Sequence, residues 1–310
     1  MRVLVTGAAG FIGSHVVRSL LRRGDEVLAL LRPGTEPTRL ADVKDRIRLV
    51  AADLDAPDSV TRAVAETRPE GCIHLAWYAV PGKYLHAEAE NLACLQATLN
   101  LVQQLRETGC RQFVGAGTCI ELDTDAGYLT RSTPPKPRTV YAAAKHATQV
   151  LAAQLCQGSP LRFAWLRVFY LYGPGENRQR LVPYVIRSLE GGERVELTAG
   201  EQVRDYLHVA DVAEAFARVL HTDASGPLNL GGGQPVTVKA LVQTLGRLLG
   251  RTDLLRFGAR PTPPDEPPFI CADPEPLKAT GWRPQFDLES GLRDTLAWWQ
   301  GATSCKRAAK

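Results

Sequence analysis

The stretch Arg2-Val3-Leu4-Val5-Thr6-Gly7-Ala8-Ala9-Gly10-Phe11-Ile12-Gly13 reads as a short buried strand, a turn with glycines three apart, and the start of an amphipathic helix through about Arg23. Glycines at such a turn let the backbone approach a pyrophosphate at a helix N-terminus, where N–H groups and the helix dipole favour an anion. The bare alternative is a tight connection that needs no ligand. The chain that follows keeps alternating, which favours a dinucleotide site. A second strand, 26–31, ends in Arg32-Pro33-Gly34. An NAD site usually offers a carboxylate here, roughly twenty residues past the glycines, for the ribose 2′-OH; an NADP site supplies an arginine for the 2′-phosphate. Leucines and then Arg32 occupy the strand end, so NADP(H) is preferred and NAD(H) remains possible; Arg32 as a merely exposed loop residue is the competing view.

Further along, Ile47–Leu54 reads as a strand ending in Asp53 and Leu54, a helix is expected over about 57–66, and Gly71-Cys72-Ile73-His74-Leu75-Ala76-Trp77 reads as a fourth strand. His74 lies within an apolar run and is read as a core histidine. The segment Tyr78–Glu88, with Pro, Gly and two tyrosines, is expected to be a loop at the carboxyl ends of the strands, where ligands bind in an open α/β sheet. A long helix from Asn91 to about Thr108 leads to the strand Gln112–Thr118, whose end suits Thr118 for presenting a hydroxyl to substrate. After the Pro-rich loop Thr133–Pro137 comes a helix to about Gln157, then the strand Arg162–Phe169.

The helix after that loop opens with Val140-Tyr141-Ala142-Ala143-Ala144-Lys145-His146. Four residues is about one helical turn, so Tyr141 and Lys145 share a face. An unperturbed Tyr ionises near pH ~10, and a neighbouring ammonium lowers that value, which makes Tyr141 a candidate general acid or base.

At 310 residues the chain is long enough for a large core as one domain or two closely joined ones, and 45% apolar with 23% charged residues is ordinary for a globular protein. A formal charge of +4 with no basic run argues against nucleic acid and membrane surfaces, while single arginines still suffice for small anions. No apolar run approaches the roughly 20 residues of a membrane helix, and no secretory leader is recognised. The cysteines at 72, 94, 110, 119, 156, 271 and 305 are odd in number and lack metal-ligand spacing, so no metal is expected. They read as reduced core residues of a cytoplasmic protein.

These residues together resemble the extended short-chain dehydrogenase/reductase family of nucleotide-sugar epimerases, dehydratases and 4-ketoreductases. The matches are Thr6-Gly7-x-x-Gly10-x-x-Gly13, Asp53-Leu54, His74-Leu75-Ala76, Asn91, Thr118, Tyr141-x-x-x-Lys145 and Tyr172-Gly173-Pro174-Gly175. Arg204-Asp205-Tyr206-Leu207-His208-Val209-Ala210-Asp211-Val212 and Asn229-Leu230-Gly231-Gly232-Gly233 extend them along nearly the whole chain.

The resemblance implies a doubly wound Rossmann parallel sheet with a smaller C-terminal α+β lobe. Residues 1–174, with a strand and helix returning from about 203–231, would bind the dinucleotide, and 175–310 would mainly bind the nucleotide sugar. It gives Tyr141 the acid/base role and Lys145 the task of lowering its pKa while holding the nicotinamide ribose. Thr118 would hydrogen-bond the reacting sugar oxygen. Gly7, Gly10, Phe11, Ile12 and Gly13 would hold the pyrophosphate; Asp53 and Leu54 would flank the adenine, Leu75 and Ala76 would line pyrophosphate and ribose, and the backbone near Phe169 would meet the carboxamide. Arg204 would bind the substrate diphosphate, with a surface salt bridge as the alternative. Tyr170, Arg178 and Arg180 are further substrate candidates, the two arginines equally open to solvent. A homodimer through the helices beginning near Asn91 and Tyr141 is a family expectation. The tail from Gly301 is expected to fray.

Among the family's reactions, 4,6-dehydratases usually carry an Asp-Glu pair directly after the Thr, where this chain has Cys119-Ile120, with Glu121 next. Epimerases usually have an acid at the end of the second strand and an Asn where Tyr170 stands. The resemblance therefore points to an NADPH-dependent 4-ketoreductase of a nucleotide-linked 4-keto-6-deoxyhexose. A nucleotide-sugar 4-epimerase and a non-catalytic cofactor sensor are the other readings, and the intact Thr118, Tyr141 and Lys145 argue against the sensor.

Overall fold

A computed structural model describes residues 1–308, with side chains through Gly301. Seven strands form one parallel sheet: β1 (Arg2–Thr6), β2 (Glu26–Leu31), β3 (Arg48–Ala51), β4 (Gly71–His74), β5 (Gln112–Thr118), a strand Arg162–Val168 and a strand Gly226–Leu230. Helix α1 (Phe11–Arg22) follows β1, α2 (Pro57–Thr67) follows β3 and α3 (Glu88–Glu107) follows β4. The short strand β6 (Tyr128–Leu129) and helix α4 (Val140–Cys156) lead to β7 (Arg162–Val168); next come β8 (Tyr170–Tyr172), α5 (Leu181–Glu190), β9 (Val195–Glu196), β10 (Val203–His208), α6 (Val209–Leu220) and β11 (Gly226–Leu230). The sheet order is β11-β7-β5-β4-β1-β2-β3. The chain builds outward from β1 through β2 to β3, returns to β4 on the other side of β1, and builds away again. The carboxyl ends of β1 and β4 thus flank a topological switch point, where a crevice opens.

The strand sequences explain why the sheet is covered on both faces. Val3 and Val5, Val27 and Ala29, Ile73, Val114, and Ala164 and Leu166 pack on one side with Val16, Val17 and Leu20 of α1 and Val212 and Phe216 of α6. Their neighbours Leu4, Leu28, Leu30, Cys72, Phe113, Phe163 and Trp165 pack on the other with α2, α3 and α4 through Val60, Val64, Leu101, Leu105 and Ala152. Side chains alternate faces along a strand, so continuous apolar runs fill two cores and the result is a three-layer, doubly wound Rossmann-like fold.

The remaining elements gather beside the carboxyl edge. Strand β12 (Pro235–Thr237), helix α7 (Val238–Leu248), strand β13 (Leu255–Arg256), strand β14 (Phe269–Ala272), helix α8 (Glu275–Lys278) and helix α9 (Leu288–Ala308) complete the chain. A second sheet runs β12-β10-β14-β6, with β8 also on β10, and β9 pairs with β13. Leu189, Val195, Leu241, Leu245, Leu292 and Trp299 centre its own apolar core. Helix α9 continues through Ala308, past the Gly301 at which fraying was expected; residues 309–310 lie outside the described residues. Among the described residues, no helix is long and apolar enough to cross a membrane.

Candidate functional site

The switch point is built on close backbone approach. Gly7 has φ +66°, and a Cβ there would lie 2.8 Å from the Ala76 nitrogen; one on Gly13 would lie 2.1 Å from the Gly7 carbonyl oxygen. Only glycine lets β1, β4 and α1 meet this tightly. Gly10 caps α1 with no side-chain hydrogen bond, leaving the first N–H groups of the helix free of side-chain competition for an anion. A turn stripped of side chains at an uncapped helix start fits a dinucleotide pyrophosphate.

His74, buried as expected, ties the crevice together. Thr98 Oγ1 donates to the Cys94 carbonyl at 2.7 Å, so it accepts from His74 Nε2 at 2.9 Å. That leaves His74 Nδ1 to accept from Thr6 Oγ1 at 2.8 Å, and Thr6 Oγ1 accepts the N–H groups of Leu75 and Ala76 at 3.2 and 3.3 Å. Burial, helped by the Lys145 charge, lowers the His74 pKa to about 3, which keeps the ring neutral. Leu75 and Ala76 are thereby fixed on the crevice floor beside Gly7.

Thr118 ends β5 and caps a short helical turn, Cys119–Glu121: its side chain accepts the Glu121 N–H while the Glu121 side chain accepts the Thr118 N–H. Tyr141, in the first turn of α4 after the Thr139 cap, lies near the Thr118 side chain, which acts to lower its pKa. Two residues that the sequence reading did not select complete the surroundings of the phenol. Tyr84 packs edge-on at 4.8 Å between ring centroids, and Trp77 at 6.4 Å. Tyr84 lies on the stretch 78–88 expected to be a loop, with Trp77 just before it, and the Tyr141 N–H holds that loop by donating to the Leu85 carbonyl at 3.2 Å.

Lys145 is expected to lower the Tyr141 pKa, and the other surroundings of the phenol act in the opposite direction. Burial pushes the phenol well above its ordinary pKa, and the nearby Tyr84 and Glu121 add to this; the Thr118 side chain opposes it. Lys145 Nζ instead donates to the Ala116 carbonyl at 2.7 Å and lies 3.7 Å from the centre of the Trp77 ring. Burial lowers its pKa to about 7, opposed by Glu121 and then Cys94. The i, i+4 spacing puts both side chains on one face, but the aromatic shell takes the ammonium before the phenol oxygen does.

The other candidates divide. Asp53 lies just past β3, with its N–H donating to Ser59 Oγ at 3.2 Å, and Leu54 packs against the α2–α3 core. Arg32 Nε reaches Asp53 Oδ1 at 3.3 Å and Nη2 reaches Asp55 Oδ2 at 2.8 Å, so its charge is already answered, though the side chain is 63% exposed. Phe169 is buried and its N–H is committed to the Leu230 carbonyl at 3.1 Å, so that donor is taken. Arg204 is 2% exposed and paired with Glu266, Nη2 to Oε1 at 2.9 Å, so its ion pair is a buried one and not the surface salt bridge of the alternative; its guanidinium lies 5.2 Å from the Tyr170 ring centre. Glu266 belongs to the Pro-rich segment after Arg260, whose folding back onto β10 could not be read from periodicity. Arg180 lies over Tyr84 at 5.5 Å, next to the Tyr141 cluster, whereas Arg178 lies over Trp299 of α9 at 5.9 Å and is not brought to it.

The parallel-sheet fold is shared with proteins of known structure. A model of the NAD dependent epimerase/dehydratase family matches residues 3–231, and the chain belongs to that family. It is 30% identical to a dTDP-glucose 4,6-dehydratase of Mycobacterium tuberculosis, covering 100% of this chain and 96% of that protein. It is 29% identical to a dTDP-4-dehydro-6-deoxy-D-allose reductase of a Streptomyces species, covering 96% of each. The crystal structure of UDP-glucose 4-epimerase from Thermus thermophilus, a complex with NAD, superposes with a TM-score of 0.85 at 31% identity, covering 97% of this chain and 100% of that one.

Proposed function

We propose that this enzyme of the epimerase/dehydratase family works on a nucleotide sugar, as an NADPH-dependent reductase of a nucleotide-linked 4-keto-6-deoxyhexose, with Tyr141 as proton donor. The observation that carries the reading is that the two acid–base candidates next to Thr118, Cys119 and Glu121, are buried or already committed, while Tyr141 lies near Thr118. Eliminating water needs a further acid and base that reach the sugar. Cys119 is 4% exposed, and burial, then the Glu121 charge, push its thiol up to about 12. Glu121 is fully buried and already accepts hydrogen bonds from Thr118, Trp165 and Arg167. This weighs against dehydration, although a dehydratase is among the relatives.

The dinucleotide, when bound, supplies the hydride. Gly7, Gly10, Phe11, Ile12 and Gly13 would hold its pyrophosphate, Leu75 and Ala76 the adjoining ribose, Asp53 and Leu54 the adenine, and Lys145 the nicotinamide ribose. Tyr141 keeps its proton at neutral pH, which suits a donor to the alkoxide developing at C4. Thr118 steadies the same oxygen, and general acid assistance of this kind is typically worth about 10²–10⁴-fold in rate. Arg204 would exchange Glu266 for the substrate diphosphate, a planar guanidinium serving either partner. Tyr170 and Arg180 would line the sugar side.

NADPH is proposed on Arg32 at the end of β2, where a 2′-phosphate would compete with the half-buried Asp53 and the exposed Asp55 carboxylates. That same pairing with Asp53 and Asp55 favours the second reading, an NAD-dependent 4-epimerase. The lobes proposed above, residues 1–174 with returns from 203–231 and residues 175–310, would enclose the substrate between them. Exposed Leu92, Val150 and Leu151 on α3 and α4 support a homodimer. Buried, unpaired cysteines among the described residues support a reducing compartment, the cytoplasm. The test is to mix the protein with NADPH and CDP- or dTDP-linked 4-keto-6-deoxyhexoses and follow reduced-nicotinamide absorbance; its loss with formation of the 4-hydroxy sugar is expected.

A further inference from the structure

Glu121 takes no step in the reaction above, yet it is a carboxylate with 0% exposure directly beneath Thr118. A buried carboxylate is costly unless its lone pairs are filled and its charge answered. The Thr118 N–H donates to Oε1 at 2.7 Å, the Trp165 indole N–H reaches Oε1 and Oε2 at 3.1 and 3.3 Å, and Arg167 Nε donates to Oε2 at 3.3 Å. Strand β5 makes the room. Glycine weakens a strand interior, but a Cβ on Gly117 would lie 2.1 Å from Trp165 Nε1 and 2.5 Å from Glu121 Oε1, and one on Gly115 would lie 2.4 Å from the Trp165 ring. Arg167 stands opposite Gly117 in the β5–β7 register, which aims it at the same carboxylate.

The other cation in this field is Lys145. Facing it are Ala116 O from β5, Trp77 after β4, neutral His74 on β4, the Cys94 thiol of α3, the Tyr141 and Trp165 rings, and Glu121. Among the described residues, Glu121 is the one carboxylate in that shell, and the two share Trp165: Lys145 Nζ lies 5.6 Å from its ring centre while its indole N–H donates to Glu121. Burial raises the Glu121 pKa, and Arg167 is the largest influence holding it down.

We propose that Glu121 is a positioning residue: it fixes the Thr118 hydroxyl through the reciprocal hydrogen bonds at that turn and faces Lys145 with the negative charge that holds it as an ammonium. The Thr118 part rests on the reductase reading; the Lys145 part does not. The test therefore reads Lys145 without turnover, by NMR titration of the full-length protein with ¹³Cε-labelled lysine, the signal being assigned by its loss in Lys145→Met. Glu121→Gln should move the Lys145 midpoint down by roughly one unit or more, since the lost carboxylate no longer opposes loss of the proton. The alkaline limb of kcat should shift the same way while KM for the sugar nucleotide stays within about twofold. Glu121→Gln combined with Arg167→Met, which leaves no unpaired guanidinium beside residue 121, should show a fall in the same direction if the single variant does not fold. An unchanged midpoint in whichever variant folds overturns the proposal, whatever sugar the enzyme accepts.

Discussion

Lys145 Nζ lies 3.7 Å from the centre of the Trp77 indole, inside the shell that also holds Tyr141. A desolvated contact of this type is worth about 2 kcal/mol or more, enough to decide where a buried ammonium sits. Trp77→Leu should lower kcat/KM about tenfold, whereas Trp77→Phe, which keeps a ring face, should lose less. Equal losses in steady-state kinetics of the two variants would show that the ring face is irrelevant.

Tyr141→Phe removes the proton donor and leaves its ring packing against Tyr84. Turnover should fall by about 10²–10⁴-fold while the cofactor dissociation constant, measured by calorimetry, stays nearly unchanged.

Arg32→Ala tests the cofactor assignment. A charge-assisted bond to phosphate is worth about 1.5–3 kcal/mol, so kcat/KM with NADPH should drop about 10- to 100-fold and that with NADH should hardly change. An effect equal for both cofactors would return Arg32 to its ion pairs with Asp53 and Asp55.

The neutral His74 carries a pH signature. Its folded pKa, lowered by burial to about 3, lies below the unfolded value of 6.5. Below pH 6.5 the unfolded chain gains a proton that the folded ring refuses, so stability falls with pH until the folded pKa is reached. At pH 5 the loss is about 2 kcal/mol. Denaturation of wild type and His74→Gln at pH 7 and pH 5 should show a flatter dependence in the variant.

The predicted homodimer rests on Leu92, Val150 and Leu151, exposed on neighbouring helices. Sedimentation should give a dimer, and Leu151→Glu should push it toward monomer without lowering the melting temperature.

The sheet was legible because its strands are nearly continuous apolar runs divided by helices of the other period; β2 and β5 fall at the expected bounds. The glycine turn, Thr118 and Tyr141 were legible for a related reason, since spacing alone puts each at a strand or helix end. What escaped depends on contacts between distant segments. The proximity of Tyr141 and Lys145 follows from helix geometry, but the hold of Trp77 on Lys145 depends on how the loop after β4 folds over α4. Glu266 meets Arg204 across 62 residues of chain. Glu121 could have been suspected from Gly115 and Gly117, two glycines in a central strand that had to be clearing space for something.

The most direct measurement supplies NADPH carrying deuterium at the transferable position together with a nucleotide-linked 4-keto-6-deoxyhexose, and examines the product by mass spectrometry and NMR. The account predicts one deuterium at C4 of the sugar for each NADPH consumed, and labelled product formed about 10²–10⁴-fold more slowly by Tyr141→Phe. A protein that leaves labelled NADPH untouched while interconverting C4 epimers on retained NAD would contradict it.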